Sequence, residues 1–318
     1  MKSKANKMIS GHDISPTLYR LTHRGGWQRQ ATACRWLPID TIKLSPKSLA
    51  KVMLVQVAAF VSLFPISAQA ADTYALIVSG ISKDPNDQAI RGQAVSGLRE
   101  YLLKQMAVDP RKLTVLAADK LDASTASSLQ PTASQILKTI DALAPTIRPE
   151  DRFLLYYVGQ ANAAGGELRL NLPGPDITPQ GLADRLKTIK AGEQLVVLDC
   201  PCAALAVKAL TSANRIIVCA STATQVHGTR FSPHFVHALA QPQTDANSDG
   251  KVSLLEAFTA TAREIEQWYR DKQILPTEAP CLEDDGDGTP GERPWRYQTE
   301  GGDGAKASAF LLHGGARR

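Results

Sequence analysis

Short apolar runs alternate with amphipathic segments along most of this 318-residue sequence, and this alternation limits the possible folds more than any other feature. A short apolar run that ends at Gly or Asp is typical of a strand buried on both faces, whereas apolar residues spaced three and four apart are typical of a helix. Strands of this kind, separated by helices, form a mainly parallel sheet covered on both faces. The sequence therefore predicts an α/β fold.

The predicted elements cover most of the chain after residue 70. The predicted strands are Tyr74–Gly80, Lys112–Ala118, Arg152–Val158, Gln194–Asp199 and Arg215–Ala220, with Leu168–Leu172 as a hairpin arm and Ala307–His313 as a final strand. The predicted helices are Gln88–Ala107, Ala133–Leu143, Pro179–Ile189, Ala203–Leu210, Pro233–Ala240 and Ser253–Lys272. Ligands bind at the carboxyl ends of strands in such sheets, so the residues that follow the strands are the first site candidates.

An uncharged apolar run at residues 52–66 precedes the small-x-small pattern of a signal-peptidase site at Ala68–Ala70. The run is shorter than the roughly 20 residues of a transmembrane helix. We interpret residues 44–70 as a secretory signal, with an N-terminal membrane anchor as the alternative. This interpretation predicts an exported protein, periplasmic or secreted, that keeps no stable membrane anchor after cleavage.

Residues 1–43 are polar, basic and without periodicity, although a signal peptide normally begins close to its apolar core. Two explanations stay open: a start codon assigned too early, with the true start near Leu44 or Met53, or a long presequence. In either case these residues are expected to stand apart from the fold. Residues 71–318 are expected to form one domain with its own core.

The positive charge of the chain is concentrated before the predicted domain. Residues 1–70 carry ten Lys and Arg against two Asp and Glu, so the net charge of +5 leaves −3 for residues 71–318. The domain therefore offers no electrostatic basis for binding nucleic acid. It also has too few cysteines for a disulfide scaffold, although export permits one or two disulfides whose pairing the sequence does not give. These cysteines are Cys200, Cys202, Cys219 and Cys281.

The sharpest local motif is the twelve-residue segment 245–256, which matches the EF-hand calcium loop at every ligand position. Side chains at positions 1, 3, 5, 9 and 12 and a backbone carbonyl at position 7 supply oxygens, and Gly250 at position 6 permits the sharp turn. The predicted cofactor is Ca²⁺. The predicted ligands are Asp245, Asn247, Asp249, Lys251, Ser253 and Glu256.

Two features differ from a regular EF-hand, so we describe the loop as EF-hand-like. Pro242 separates the preceding helix from the loop, and Ala257 stands where a larger apolar residue is usual. A single loop has no partner for cooperative opening, so we expect the ion to pin the start of the next helix. A second acidic segment, Glu283–Gly288, lacks the twelve-residue spacing and a closing Glu. It is either a weaker metal site or a solvated turn.

The order of these segments resembles the caspase/legumain superfamily, in particular bacterial proteins similar to legumain-like (C13) peptidases. The resemblance covers most of residues 73–290 and implies a caspase-like three-layer fold. It is carried by Tyr74–Gly80, Asp151–Gly159, Leu170–Asp176, Gln194–Cys202, Arg215–Thr222, Thr277-Glu278 and the Asp- and Gly-rich tail.

Active members of that superfamily use a Cys nucleophile and a His base. The His stands in a Gly-His-Gly turn after the third strand, where this chain has Gln160, and an amide cannot take up and return a proton near neutral pH. The Cys stands two residues after an acidic or small residue, and counting from Asp199 gives Pro201. The resemblance therefore implies a non-catalytic domain that binds a peptide or protein in its strand-end cleft.

One alternative keeps catalysis. A register shift of one residue would present Cys200 or Cys202 at the strand tip, and His227 follows the next strand, near the same rim. These residues would then form a cysteine endopeptidase with an unusual base. A purely structural protein of the cell envelope is a third possibility. Residues 71–318 contain no nucleophile elbow, phosphate-binding loop, dinucleotide fingerprint or zinc-type Cys/His spacing.

Overall fold

A mainly parallel sheet forms the centre of the computed structural model, which describes residues 71–119, 129–294 and 302–312. Within these residues the strands are β1 (Thr73–Ser79), β2 (Leu113–Ala117), β3 (Arg152–Val158), β4 (Ala161–Ala164), β5 (Glu167–Leu170), β6 (Glu193–Asp199), β7 (Arg215–Cys219) and β8 (Cys281–Glu283). The main sheet has the order β2-β1-β3-β6-β7-β8, and β4 and β5 form a separate hairpin. Only β8 runs antiparallel to its neighbour in the main sheet.

Helices cover both faces of this sheet. The described helices are α1 (Pro85–Lys104), α2 (Ala133–Leu143), α3 (Pro179–Leu186), α4 (Val207–Leu210), α5 (Phe231–Ala240), α6 (Leu254–Lys272) and α7 (Ala305–Ala309). Helices α2, α3 and α4 pack on one face, and α1, α5, α6 and α7 pack on the other. The predicted α/β class, with a mainly parallel sheet in a three-layer arrangement, is confirmed.

The strands are continuously apolar because each of them supplies side chains to both cores. In β3, Leu155 and Tyr157 enter the core under α2 and α3, whereas Leu154 and Tyr156 enter the core under α1 and α5. Six of the seven β3 residues are buried. A strand with a polar face would place that face against a helix layer, so the apolar run itself selects the three-layer fold.

Local sequence signals set several helix starts. Asp84 caps α1 by accepting from the backbone N–H of Asp87 at 2.9 Å, and Pro85 occupies the first helical position. Thr132 caps α2, with its hydroxyl 3.1 Å from the Gln135 nitrogen. Ser253 caps α6. These caps hold the helix ends independently of the packing of the apolar faces.

The C-terminal part differs from the prediction. Residues 307–309 lie in α7 instead of a strand, and Leu311 forms an isolated bridge with Ser253. The helix forms because the buried Asp284 carboxylate accepts from the N–H groups of Gly304 and Ala307 at 2.8 and 2.7 Å. His313 lies outside the described residues. Strand β8, in the segment predicted as a loop, was missed because it has only three residues.

The predicted extension at residues 1–43 and the predicted signal at 44–70 also lie outside the described residues. All described residues belong to one compact unit, Ala68–Arg318. Within the described part of the chain, no helix combines the length and apolar character needed to cross a bilayer.

Candidate functional site

The carboxyl ends of four adjacent strands meet at one edge of the sheet. Ser79, Val158 and Asp199 are in register, so the residues after β1, β3 and β6 lie side by side. A cleft of about 550 Å³ opens at this edge. Its walls include Lys83, Asp87, Arg91, Gln160, His227 and Arg230.

The turn after β3 is held by a buried tyrosine. The Tyr157 hydroxyl donates to the backbone oxygens of Gln160 at 2.6 Å and Asn171 at 3.2 Å. A Cβ atom on Gly80 or Gly159 would lie 2.6 or 2.5 Å from this hydroxyl, closer than real contacts allow. Glycine is required at both positions because the backbone approaches the ring, and the backbone of Gln160 is thereby fixed.

Gln160 belongs to a polar chain that runs along the cleft wall. Its Nε2 lies 3.4 Å from Asp87 Oδ2, and Asp87 Oδ1 accepts from Arg91 Nε at 2.8 Å. Burial raises the pKa of Asp87, but hydrogen bonds from the Lys83 backbone, Arg91 and Gln160 outweigh it and hold the pKa below its ordinary value. Asp87 is therefore an ionised partner for Arg91, and Gln160 acts only as a donor to it.

Arg91 is the least expected member of this wall. Its exposed fraction is 4%, and its Nη1 is buried without a hydrogen-bond partner. A buried guanidinium N–H group that makes no hydrogen bond is costly, and guanidinium geometry suits a carboxylate or a carbonyl. Arg91 is one of the residues that line the cleft, but this nitrogen is shielded from solvent, so an acceptor from a bound molecule reaches it only if neighbouring groups move.

The two cysteines proposed as alternative nucleophiles lie in the hydrophobic core. Cys200 and Cys202 are 0% and 1% exposed, and neither lines the cleft, whereas His227 is exposed and lines it. Burial raises the pKa of the Cys200 thiol well above its usual range, and the nearby Asp199 adds to this effect. Burial also raises the pKa of Cys202. Both shifts favour the neutral thiol over the nucleophilic thiolate.

Pro201 lies between them and is also buried. The four cysteines Cys200, Cys202, Cys219 and Cys281 are all free and buried. Cys219 and Cys281 are direct neighbours across β7 and β8. The disulfides that export would permit are therefore not formed in this structure.

Asp199, at the end of β6, anchors α5. Its carboxylate accepts from the backbone N–H of Ser232 at 2.8 Å and from the hydroxyls of Ser232 and Thr229. The Tyr156 hydroxyl lies 2.9 Å from Ser232 Oγ. A carboxylate at a helix N-terminus is favoured by the unpaired N–H groups there. The acidic residue at the strand end thus joins the sheet to the helix that borders the cleft.

A second ion pair closes the far side of the cleft. Glu278 is 2% exposed, and it accepts from the Arg230 backbone at 2.7 Å and from Arg230 Nη1 at 3.1 Å. Tyr269 donates to the same carboxylate at 3.1 Å. The Arg230 guanidinium also stacks 3.9 Å from the centre of the Trp268 ring. Burial raises the pKa of Glu278 to about 7 against the opposing effect of Arg230.

The predicted calcium loop is folded by its own side chains. The Asp245 carboxylate accepts from the N–H groups of Asp249 and Gly250 at 3.1 and 2.9 Å. Asn247 Oδ1 accepts from Asp249 at 2.8 Å, and Asp249 Oδ1 accepts from Lys251 at 2.8 Å. Gly250 has a φ of 79°, which only glycine adopts readily. The side chains at positions 1, 3 and 5 therefore point into the curve of the loop.

Glu256 closes the loop by hydrogen bonds. One carboxylate oxygen accepts from the N–H groups of Ala246 and Asn247 at 3.1 and 3.3 Å, and the other accepts from the N–H and hydroxyl of Ser253. The latter contacts form a capping box at the start of α6. Glu256 thus joins the first residues of the loop to the helix that follows.

Backbone pairing supports the exit of the loop. The Leu254 N–H donates to the Phe310 carbonyl, and the Leu312 N–H donates to the Val252 carbonyl, each at 2.8 Å. On the entry side, a single 3₁₀ turn at Pro242–Thr244 separates α5 from the loop, as Pro242 suggested.

A tighter acidic group lies elsewhere. Glu283, Asp285 and Asp287 each have a ligand oxygen within 4.8 Å of those of the other two. Within the described residues, the acidic side chains of the loop 245–256 do not meet this distance. The loop carboxylates are spread by the hydrogen bonds that Glu256 makes to backbone N–H groups. The acidic group in the segment Glu283–Gly288 is therefore more compact than that of the loop 245–256, although the sequence favoured the loop.

Sequence reasoning missed Asp87, Arg91, Arg230 and Glu278. Arg91 and Asp87 share a helix face four residues apart, which is the one local signal that pointed to an ion pair there. Arg230 and Glu278 are 48 residues apart, so only the fold brings them together.

Comparisons with known proteins give little further identification. No family model and no curated protein matches this chain. The crystal structure of protein GSU0716 from Geobacter sulfurreducens is similar to it, with a TM-score of 0.43 and 13% sequence identity, over 66% of this chain and 92% of that one. A similarity at this level identifies neither a family nor an activity.

Proposed function

We propose that this chain is an exported, non-catalytic domain of the caspase/legumain type that binds an acidic peptide segment of a protein partner in the strand-end cleft. The observation that carries the proposal is Arg91, a buried guanidinium with one unpartnered nitrogen in the wall of an open cleft. On binding, the groups that shield this nitrogen would move, and a carboxylate side chain of the peptide would accept from it. Charge-assisted hydrogen bonds of this kind contribute about 1.5–3 kcal/mol.

Exposed apolar side chains around the cleft also favour a peptide ligand. Ile90 and Ile274 line the cleft and are 43% and 51% exposed. Val226, which precedes His227 in the bordering loop, is 63% exposed. Apolar side chains that border a cleft with a few fixed polar groups are typical of sites that bind a peptide with side chains of both kinds.

The catalytic alternative has weaker support. It needs a thiolate that faces a base, but the thiols of Cys200 and Cys202 are buried in the core, while His227 lines the cleft. The position of the family's His is taken by Gln160, which donates to Asp87. His227 offers a proton-transfer group on the cleft surface, but the thiol that nucleophilic attack needs is not there.

Calcium has a structural role in this proposal. Asp245, Asn247, Asp249, Ser253, Glu256 and the Lys251 carbonyl would hold the ion, which requires Glu256 to exchange its backbone donors for the metal. Loop side chains already turned inward by backbone hydrogen bonds support this fit. The ion supplies only charge neutralisation and a fixed start for α6. Export follows from the signal-like residues 44–70 in the sequence.

Replacing Arg91 by glutamine is expected to abolish a preference for acidic peptides. Fluorescence anisotropy would measure the binding of three labelled hexapeptide pools. The pools share randomised apolar flanks and differ only in a fixed central Asp, Asn or Lys. The protein should bind the Asp pool roughly 10- to 100-fold more tightly than the Lys pool. Arg91→Gln should remove this difference, because the amide carries no charge.

Arg99→Gln, on the same helix but outside the cleft lining, is the matched control and should leave the preference unchanged. Equal binding of the Asp and Lys pools by the unaltered protein would refute the proposed ligand class. A preference that survives Arg91→Gln in a folded variant would show that the ligand binds elsewhere.

Thiol labelling tests the absence of catalysis separately. Cys200, Cys202, Cys219 and Cys281 should react with a soluble disulfide reagent roughly a hundred-fold more slowly than in denaturant, since each is buried. Peptide mapping by mass spectrometry assigns each label. Fast labelling of Cys200 or Cys202, blocked by a peptide-based electrophile, would instead establish the cysteine endopeptidase.

A further inference from the structure

The segment after β8 brings three carboxylates to one point. Glu283, Asp285 and Asp287 alternate along the chain, and Gly286 and Gly288 have φ angles of 96° and 79° that turn the backbone around them. One ligand oxygen from each carboxylate lies within 4.8 Å of the others. Two oxygens on opposite sides of a calcium ion at about 2.4 Å are about 4.8 Å apart, so the three carboxylates fit a single ion.

Glu283 gives an independent indication of a ligand. Its side chain is fully buried, and Oε1 accepts from the N–H groups of Gly286 at 2.8 Å and Gly288 at 3.4 Å. Its Oε2 is buried and has no hydrogen-bond partner. The Thr211 hydroxyl lies near this carboxylate, and it is also 2.9 Å from the Val207 carbonyl, to which it can donate. A buried carboxylate oxygen without a partner is destabilising unless a cation meets it.

The surroundings add negative charge and few free cations. Asp303 accepts from the Asp284 backbone at 2.9 Å, which places another carboxylate beside the group. Two cationic side chains of this region donate their hydrogen bonds to other groups, although the charge of Arg215 also interacts with Glu283. Arg215 donates to Gln194, and Lys306 donates to the Asp284 carbonyl. Like charges held this close repel each other unless a bound cation compensates them.

We propose that Glu283, Asp285 and Asp287 bind a calcium ion at a site separate from the loop 245–256. All of the side-chain ligands are oxygens, which selects a hard cation. Mg²⁺ binds oxygens at about 2.0–2.1 Å in strict octahedral geometry. This geometry fits less well than that of Ca²⁺ to a loop that also uses a buried carboxylate. The site ties the end of β8 to the loop that follows it. It does not depend on the proposed peptide binding.

Counting bound ions tests this site. Equilibrium dialysis against radioactive calcium should give two ions per chain for the unaltered protein. Asp285→Asn with Asp287→Asn should lower the count to one, and Glu256→Gln should also lower it to one. The control Asp141→Asn with Asp184→Asn removes two surface carboxylates of the same type elsewhere and should keep both ions.

The outcomes separate the two sites. Two ions bound by a folded Asp285→Asn/Asp287→Asn variant, or a single ion that is lost with Glu256→Gln alone, would overturn the proposal. A single ion that is lost only in the Asp285/Asp287 variant would support this site and reject the loop. Circular dichroism in chelator verifies folding. Asp285→Asn alone, with an expected loss of at least about tenfold in affinity, serves if the double variant is unfolded.

Discussion

Calcium at a hundred times its dissociation constant for the loop 245–256 is expected to raise the Tm of this protein by roughly 5–10 °C. Binding to the folded state alone contributes about 2.7 kcal/mol at that concentration. One kcal/mol corresponds to roughly 2–4 °C for a domain of this size. The loop ligands are assembled from both ends of a twelve-residue segment, so the unfolded chain cannot offer them together.

Glu256→Gln is the sharpest variant for this loop. Glutamine keeps an oxygen for the Ser253 capping contacts but removes the charge that closes the calcium shell. The loop's share of the shift should disappear, and the Tm in chelator should fall slightly, because the amide nitrogen cannot accept from the N–H groups of Ala246 and Asn247. Differential scanning calorimetry with and without calcium measures both values.

Asp271→Asn, near the end of the same helix, is the matched control. Among the described residues, the Asp271 carboxylate hydrogen-bonds only to Gln267. It should retain the full calcium shift. An identical shift in Glu256→Gln and in the unaltered protein would mean that the loop does not bind the ion. Any remaining shift would then belong to another site, such as Glu283, Asp285 and Asp287.

The sheet was predictable because each strand carries its signal locally. Runs such as residues 153–158 have an aliphatic or aromatic residue at every position, and burial on both faces is the only arrangement that removes all of these side chains from water. Strand β8 and helix α7 carried no such signal. Their formation depends on contacts made by Asp284 and by strand β7, which are distant in sequence.

The candidate site was only partly predictable for the same reason. The location of the cleft follows from the parallel sheet, and the inward-turned side chains of the loop 245–256 follow from its residue spacing. The burial of Cys200 and Cys202 does not, because it depends on loops such as the one whose Gln225 carbonyl accepts from the Cys202 N–H at 2.8 Å. The sequence also does not predict that Arg91 Nη1 lacks a hydrogen-bond partner, because this depends on which groups the fold places around it.

Glu278 is expected to make the stability of this protein fall as the pH rises from 5 to 8. Burial raises its pKa from 4.5 to about 7, and the Asp199 charge adds to this, while Arg230 opposes it. Because the pKa of the folded state is higher than that of the unfolded state, folding takes up a proton. The stabilisation is complete below about pH 4.5 and is lost as the pH rises through 7.

The expected loss from this one group is roughly 3 kcal/mol across that range. Glu278→Gln should flatten the profile by this amount, since glutamine does not titrate and still offers an oxygen to the Arg230 backbone. Urea unfolding at several pH values, with the exposed Glu167→Gln as the control, measures the difference between the profiles. If Glu278→Gln and the unaltered protein lose stability in parallel, the Arg230 ion pair fully offsets burial. Glu278 would then be a constant anchor of the cleft wall with no sensitivity to pH in this range.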